Sequence, residues 1–267
     1  MMDLKTAAQT LGVRQSGPNA SFSGVATDSR QLKPGDLFVA LRGERFDGHT
    51  FVDAALDSGA AAAMVDNAES VAHANAPLLV VGDTRIALGQ LAARWRRRFA
   101  LPLVAVTGSN GKTTVKEMLA SIVAAAAGES ALLATTGNLN NDIGMPLMLL
   151  RLRDKHRYAA IEMGMNHLGE IAYLTGLARP TVALITNAGT AHIGELGSRE
   201  AIAQAKGEIY EGLSRDGIAL VNADDTFADY WRDLNRDRRV IDFALNHDAA
   251  VTAQCELTPA GSLMSVH

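Results

Sequence analysis

The run Leu103-Val104-Ala105-Val106-Thr107-Gly108-Ser109-Asn110-Gly111-Lys112-Thr113-Thr114 passes from an apolar strand through a glycine-bearing loop into a helix that begins at a Lys-Thr pair. Each residue type has a use there. Gly108 and Gly111 let main-chain N–H groups turn inward around a phosphate, and the helix N-terminus adds partial positive charge. Lys112 can reach terminal phosphates, and a threonine hydroxyl such as that of Thr113 suits Mg²⁺. The ligand implied is a nucleoside triphosphate, held by Gly108, Ser109, Asn110, Gly111, Lys112, Thr113 and Thr114. Val106 stands where the general G-x-x-x-x-G-K-[ST] pattern has its first glycine, so this loop is a shortened form.

Other residues stand where such chemistry could use them. Glu162 closes the apolar strand Tyr158-Ala159-Ala160-Ile161, a position open to an Mg²⁺ ligand or to a solvated strand-end carboxylate. His192 follows the strand Ala183 to Thr186 through a short loop, where polar surface is the plainer reading. Lys206 lies in a helical stretch and reads by spacing alone as a solvated lysine. Asn138 to Gly144 is a polar cluster that fits helix entry, with Asp142 capping and Pro146 in the first turn, as well as it fits binding. Thr27-Asp28-Ser29-Arg30 and Gly43-Glu44-Arg45-Phe46-Asp47-Gly48-His49 flank the Phe38 strand with anion-capable donors or with plain turn chemistry. Arg94, Arg96, Arg97 and Arg98 surround Trp95; one helical turn cannot aim four arginines at one ligand, so a solvated helix end is expected.

The elements that must position these residues alternate. Residues 1–82 predict a small α/β unit: a helix capped by Asp3 and stopped at Gly12, a strand from Leu37 after the Lys33-Pro34-Gly35-Asp36 turn, and a helix from Phe51 leading into a strand at Ala61 to Val65. From residue 83 to 267 a βα rhythm predicts a doubly wound, mostly parallel sheet, whose ligands collect at the carboxyl ends of its strands. Beyond Asp242 the pattern turns β-like and stops in an expected strand, which reads as a chain cut inside a domain or as a natural edge strand.

Composition narrows the rest. The 267 residues are 48% hydrophobic and 20% charged, which fits a folded globular protein. A net charge of -4 gives no sequence-wide basic field, so nucleic acid is not expected as a partner. The single cysteine, Cys255, fits a reducing compartment, the N-terminus lacks a signal-peptide pattern, and no apolar run nears the ~20 residues of a spanning helix. A cytoplasmic monomer without membrane insertion is expected.

Taken together these motifs resemble the Mur ligases of bacterial cell-wall synthesis, and within them the MurF type. Thr27-Asp28-Ser29-Arg30 with Pro34 to Ala40 is similar to a uridine-nucleotide-binding N-terminal domain, and Thr107 to Thr114 to the family's shortened phosphate loop. Gly137 to Pro146, Glu162 to Ile171, Ala191 to Ser198 and Ala205 to Ile209 resemble the MurF type rather than the MurE type. The resemblance implies an ATP-dependent ligase that joins D-alanyl-D-alanine to UDP-MurNAc-tripeptide through an acyl phosphate. It implies Thr113, Glu162, His192 and a carbamylated Lys206 as Mg²⁺ ligands, with Lys112, Glu162, His192 and Lys206 serving catalysis. Ser29, Arg30, Phe38, Asn138 and Asn141 are implied in substrate binding. A third domain found in such ligases is not in this sequence, so a substrate-binding fragment without turnover is the alternative. A related MurE-type ligase and a folylpolyglutamate-synthase-like ligase are further ones.

Overall fold

A computed structural model describes residues 1–44, 46–191, 193–259 and 261–267, with the backbone alone for residue 262. The chain divides into two compact units, residues 1–99 with 142–152, and residues 100–141 with 153–267.

The first unit holds a ribbon of β1 (Met2–Asp3) and β3 (Ser21–Phe22) and a five-stranded sheet. Its strands are β2 (Arg14–Ser16), β4 (Gly24–Ala26), β5 (Asp36–Val39), β6 (Ala62–Val65) and β7 (Leu78–Val80), in the order β2-β7-β6-β5-β4. Only the β2–β7 pair is antiparallel. β5 and β6 are buried at every residue, as strands of a parallel sheet covered on both faces must be. Phe38 and Ala40 on one side of the β5 run meet Val52 and Ala55 of helix α2 (Val52–Asp57) in the core. Helix α1 (Leu4–Leu11) starts at Asp3, whose carboxylate accepts the Thr6 N–H at 2.7 Å, and ends at Gly12 in the left-handed region, as expected.

Helix α3 (Thr84–Arg96) packs against α1 and against α5 (Gly144–Leu149). Both α3 and α5 therefore join the first compact unit, whose edge falls at Phe99 rather than at residue 82. The arginine cluster at the end of α3 also differs from a solvated helix end. Arg94, Arg97 and Arg98 are exposed, but Arg96 and Trp95 are buried: Arg96 donates to the Phe99 carbonyl at 2.5 Å and Trp95 Nε1 to the Leu152 carbonyl at 3.1 Å. Asp142 does not cap α5; its carboxylate pairs with Arg85, and Ile143 stands at the N-cap. Pro146 does lie in the first turn.

The second unit is built on β8 (Leu103–Thr107), β9 (Leu132–Ala134), β10 (Tyr158–Glu162), β11 (Val182–Ile185), β12 (Ile218–Asn222), β13 (Arg239–Ala244), β14 (Val251–Thr258) and β15 (Gly261–Val266). Their order is β15-β14-β13-β12-β11-β8-β10-β9, parallel throughout except for the β14–β15 hairpin. Helices α4 (Lys112–Ala127), α6 (Glu170–Ala178), α7 (Ile193–Leu196), α8 (Arg199–Gly207) and α9 (Ala228–Leu234) lie in the connections. The chain leaves β8 toward β9, then returns past β10 to β11, β12 and β13 on the other side. That reversal opens a crevice at the carboxyl ends of β8, β10 and β11, the place where such sheets receive ligands. No helix of the described residues is long and apolar enough to cross a membrane.

Candidate active site

The loop that leaves β8 forms the floor of the crevice. Gly108 has φ +150°, and a Cβ there would lie 1.8 Å from Thr186 Oγ1, so only glycine lets the loop approach β11 this closely. Gly111, at φ +82°, turns the chain into α4. Two loop amides are already committed: Ser109 N–H donates to the Asn187 carbonyl at 2.9 Å and Asn110 N–H to Asn187 Oδ1 at 3.2 Å. This differs from a cradle in which every amide of the loop faces a phosphate. Among the described residues, the N–H groups of Gly108, Gly111, Lys112, Thr113 and Thr114 find no protein acceptor. Four of these five are consecutive, at the mouth of a sixteen-residue helix, where partial positive charge gathers.

Lys112 Nζ rests on the Gly108 carbonyl at 2.8 Å, inside the loop. Burial lowers its pKa from the ordinary lysine value, while the Glu162 carboxylate acts in the opposite direction. Glu162 is buried at the end of β10 rather than solvated. Its Oε2 accepts from Thr113 Oγ1 at 2.9 Å and its Oε1 from Asn140 Nδ2 at 2.8 Å. Its own amide is held by Thr135 Oγ1 at 2.9 Å. Thr113 and Glu162 thus present hard oxygens side by side, the donor type Mg²⁺ takes.

Lys206, in the last turn of α8, is 1% exposed, against the solvated reading of its spacing. Its carbonyl accepts the Glu208 N–H at the helix end, but its side chain makes no hydrogen bond to another described residue. Burial first, and the charge of Lys112 second, bring its pKa down to about 8. His192 lies outside the described residues, as does Arg45.

Asn138 and Asn141 are exposed, and the asparagine that reaches Glu162 is Asn140 between them. Spacing could not choose among the three. The sequence carries one faint signal, Gly164, where a Cβ would lie 3.1 Å from the Asn140 side chain. Asn187 and Thr186 were also missed as partners of the phosphate loop.

In the first unit, Thr27, Asp28, Ser29, Arg30 and Phe38 line a cavity of about 530 Å³ with Phe46, Phe51 and Ile143. The structure thus brings Ser29, Arg30 and Phe38 together; Asn138 and Asn141 belong to the other unit. Arg30 is paired with Asp28 at 2.8 Å. His49 does not face the cavity as a donor. It is buried against Asp47 Oδ1 at 2.7 Å and the Asp66 N–H at 3.1 Å, and Arg42 joins both aspartates. The set ties Arg42, Asp47 and His49 to Asp66, beside Phe46 and Gly48 of the cavity wall.

Comparison with known proteins bears on the whole arrangement. A family model described as the Mur ligase middle domain matches residues 106–267, and one described as the Mur ligase family, catalytic domain, matches residues 21–96. The chain belongs to the Mur ligase family. This Mur ligase chain is 49% identical, over 80% of its length and 47% of the relative's, to a UDP-N-acetylmuramoyl-tripeptide--D-alanyl-D-alanine ligase of Haemophilus influenzae. A crystal structure of MurF from Acinetobacter baumannii is similar at TM-score 0.87 and 39% identity, covering 99% of this chain and 60% of that one. MurF from Thermotoga maritima, solved in complex with ADP, is similar at TM-score 0.80 and 30% identity, covering 91% and 55%. The chain spans about half the length of the curated relatives it matches.

Proposed function

We propose that this Mur ligase chain carries the nucleotide-sugar-binding and ATP-binding parts of a ligase that adds D-alanyl-D-alanine to UDP-MurNAc-tripeptide, in the cytoplasm and as a monomer. The observation that carries the reading is the pairing of Thr113 with Glu162 beneath a row of unpaired helix-start amides that encloses Lys112. Its likeness to proteins named for that reaction supports the choice of substrates.

A carboxylate is too poor an electrophile for direct attack by an amine. ATP, as co-substrate, supplies the activation: the tripeptide carboxylate attacks the γ-phosphorus and ADP leaves; the amine of D-alanyl-D-alanine then attacks the carbonyl carbon of the acyl phosphate, and the amide forms as inorganic phosphate departs and the amine gives up a proton. The amides of Gly108 and Gly111 to Thr114 bind the phosphates, and Lys112 leaves the Gly108 carbonyl to neutralise charge developing on the transferred group. Mg²⁺, when bound, supplies further neutralisation of that charge. Thr113, Glu162 and, by family resemblance, His192 and Lys206 would hold it. The buried amine of Lys206, with its pKa near 8, carries a larger neutral fraction than a surface lysine and so has the nucleophile needed to add CO₂ as a carbamate. The first-unit cavity, lined by apolar Phe38, Phe46 and Phe51 together with Ser29 and Arg30, suits a nucleotide-sugar substrate.

Thermal-shift and isothermal titration test this reading together. UDP-MurNAc-tripeptide and Mg-ADP should each stabilise the chain, and Lys112→Ala should weaken Mg-ADP on the order of 100-fold. Selective stabilisation by a folate, with none by UDP-MurNAc-tripeptide, would reverse the assignment.

A further inference from the structure

The phosphate loop is moulded by the segment 186–189, and that segment is itself gripped from outside the cradle. Asp225, just beyond β12, accepts the Ala188 N–H at Oδ2 (2.8 Å) and the Phe227 N–H at Oδ1 (2.9 Å). Arg199, the first residue of α8, donates to the Ala188 carbonyl at 3.2 Å and lies 5.6 Å from the centre of the Phe227 ring. Ala188 is buried between them.

The two contacts fall on consecutive peptide planes. In a trans peptide the N–H and C=O point in opposite directions, so a plane pinned at one end is aimed at the other. Asp225 pins the N–H of the plane joining Asn187 to Ala188; its opposite end, the Asn187 carbonyl, accepts the Ser109 N–H at 2.9 Å. Arg199 pins the C=O of the plane joining Ala188 to Gly189; its opposite end, the Gly189 N–H, donates to Ser109 Oγ at 2.9 Å. Ser109 is therefore held at its amide and its hydroxyl by two planes, each fixed on the far side. Asn187 extends the same hold to Asn110, through its amide at 3.2 Å and its carbonyl at 3.2 Å, and Thr186 Oγ1 adds a bond to that carbonyl at 2.6 Å.

We propose that Asp225 and Arg199 are positioning residues for nucleotide binding, a two-sided clamp on Ala188 that holds Ser109 and Asn110 so that the neighbouring amides stay open toward phosphate. The proposal rests on the nucleotide-binding reading above, but the clamp exists without ligand and is testable without it.

Amide hydrogen exchange resolved by NMR on the ligand-free chain is the first arm. In Asp225→Ala and in Arg199→Ala, exchange at Ser109 and Asn110 should rise about tenfold, as expected for one lost hydrogen bond, while β8 and β10 amides keep their protection. Asp225→Asn, which keeps one acceptor oxygen of two, should fall between. The second arm is Mg-ADP titration. Each alanine variant should weaken affinity about tenfold, and the double variant by less than the product, because both act on Ser109. Unchanged exchange at Ser109 and Asn110, or loosening of all strand amides together, overturns the clamp. Absence of Mg-ADP binding by the unaltered chain overturns the nucleotide reading instead. Local loosening with unchanged affinity overturns the link to binding.

Discussion

Glu162 and Lys206 show how burial changes what a residue type can do. A carboxylate ending a strand is ordinarily solvated, yet Glu162 is buried with both oxygens engaged, by Thr113 and Asn140. A helical lysine is ordinarily solvated too, and Lys206 is not. For Lys206 the lowered pKa makes a prediction about stability. Between about 8 and the ordinary lysine value of 10.5 the unfolded chain binds a proton that the folded chain does not, so stability rises with pH across that window. Lys206→Met should therefore raise the denaturation midpoint at neutral pH, and the gain should shrink as pH rises from about 8 toward 10.5. A gain independent of pH would contradict the assigned burial cost. Gly108→Ala places a methyl group 1.8 Å from Thr186 Oγ1, and the loop must shift. We expect a loss of roughly 1–3 kcal/mol in urea denaturation, together with loss of Mg-ADP binding. The glycine and lysine positions of the loop are legible because their chemistry is local. Asn140 was not, because three asparagines within four residues differ only in which one the fold turns toward β10.

At the scale of elements, caps and buried runs were readable for the same reason. Asp3, Gly12 and the apolar strands carry their instructions within a few residues. Asp83 is another local signal, since its Oδ1 accepts the Arg85 and Ile86 amides at 2.8 and 2.9 Å to start α3. Asp83→Ala should cost about 1 kcal/mol in chemical denaturation, whereas Asp83→Asn or Asp83→Ser should recover most of it. An undiminished midpoint in the alanine variant would show the cap to be idle. Long-range satisfaction was not readable. Arg96 is buried because its guanidinium closes the turn at Phe99, and Asp142 is drawn from its expected cap by Arg85, 57 residues away. For His49 the sequence leaves an anion donor and plain turn chemistry both open, and long-range partners decide for the second, since Asp47 and Asp66 claim both ring nitrogens.

Over the whole chain, the βα rhythm was enough to give the class of fold, and with it the end of the sheet where ligands bind. The rhythm could not show that residues 142–152 leave the second unit and return to the first, since that excursion rests on packing of α5 against α3. Each unit then presents one candidate site: a cavity lined by Phe38, Phe46 and Phe51, and an amide-lined crevice beside Glu162. The two sites have different chemistry. The first offers apolar walls with a few polar groups, and the second offers charge and hydrogen-bond donors for phosphate.

In the proposed function, free amides at the start of α4, and not the pair already bonded to Asn187, receive the nucleotide's phosphates. An amide-resolved NMR titration of the chain with Mg-ADP tests it most directly. The largest shifts at saturation should fall on Gly108, Gly111, Lys112, Thr113 and Thr114, with Ser109 and Asn110 retaining slow exchange through their bonds to Asn187. Saturable binding with the largest shifts elsewhere, or release of Ser109 and Asn110 from Asn187 on binding, would contradict the account.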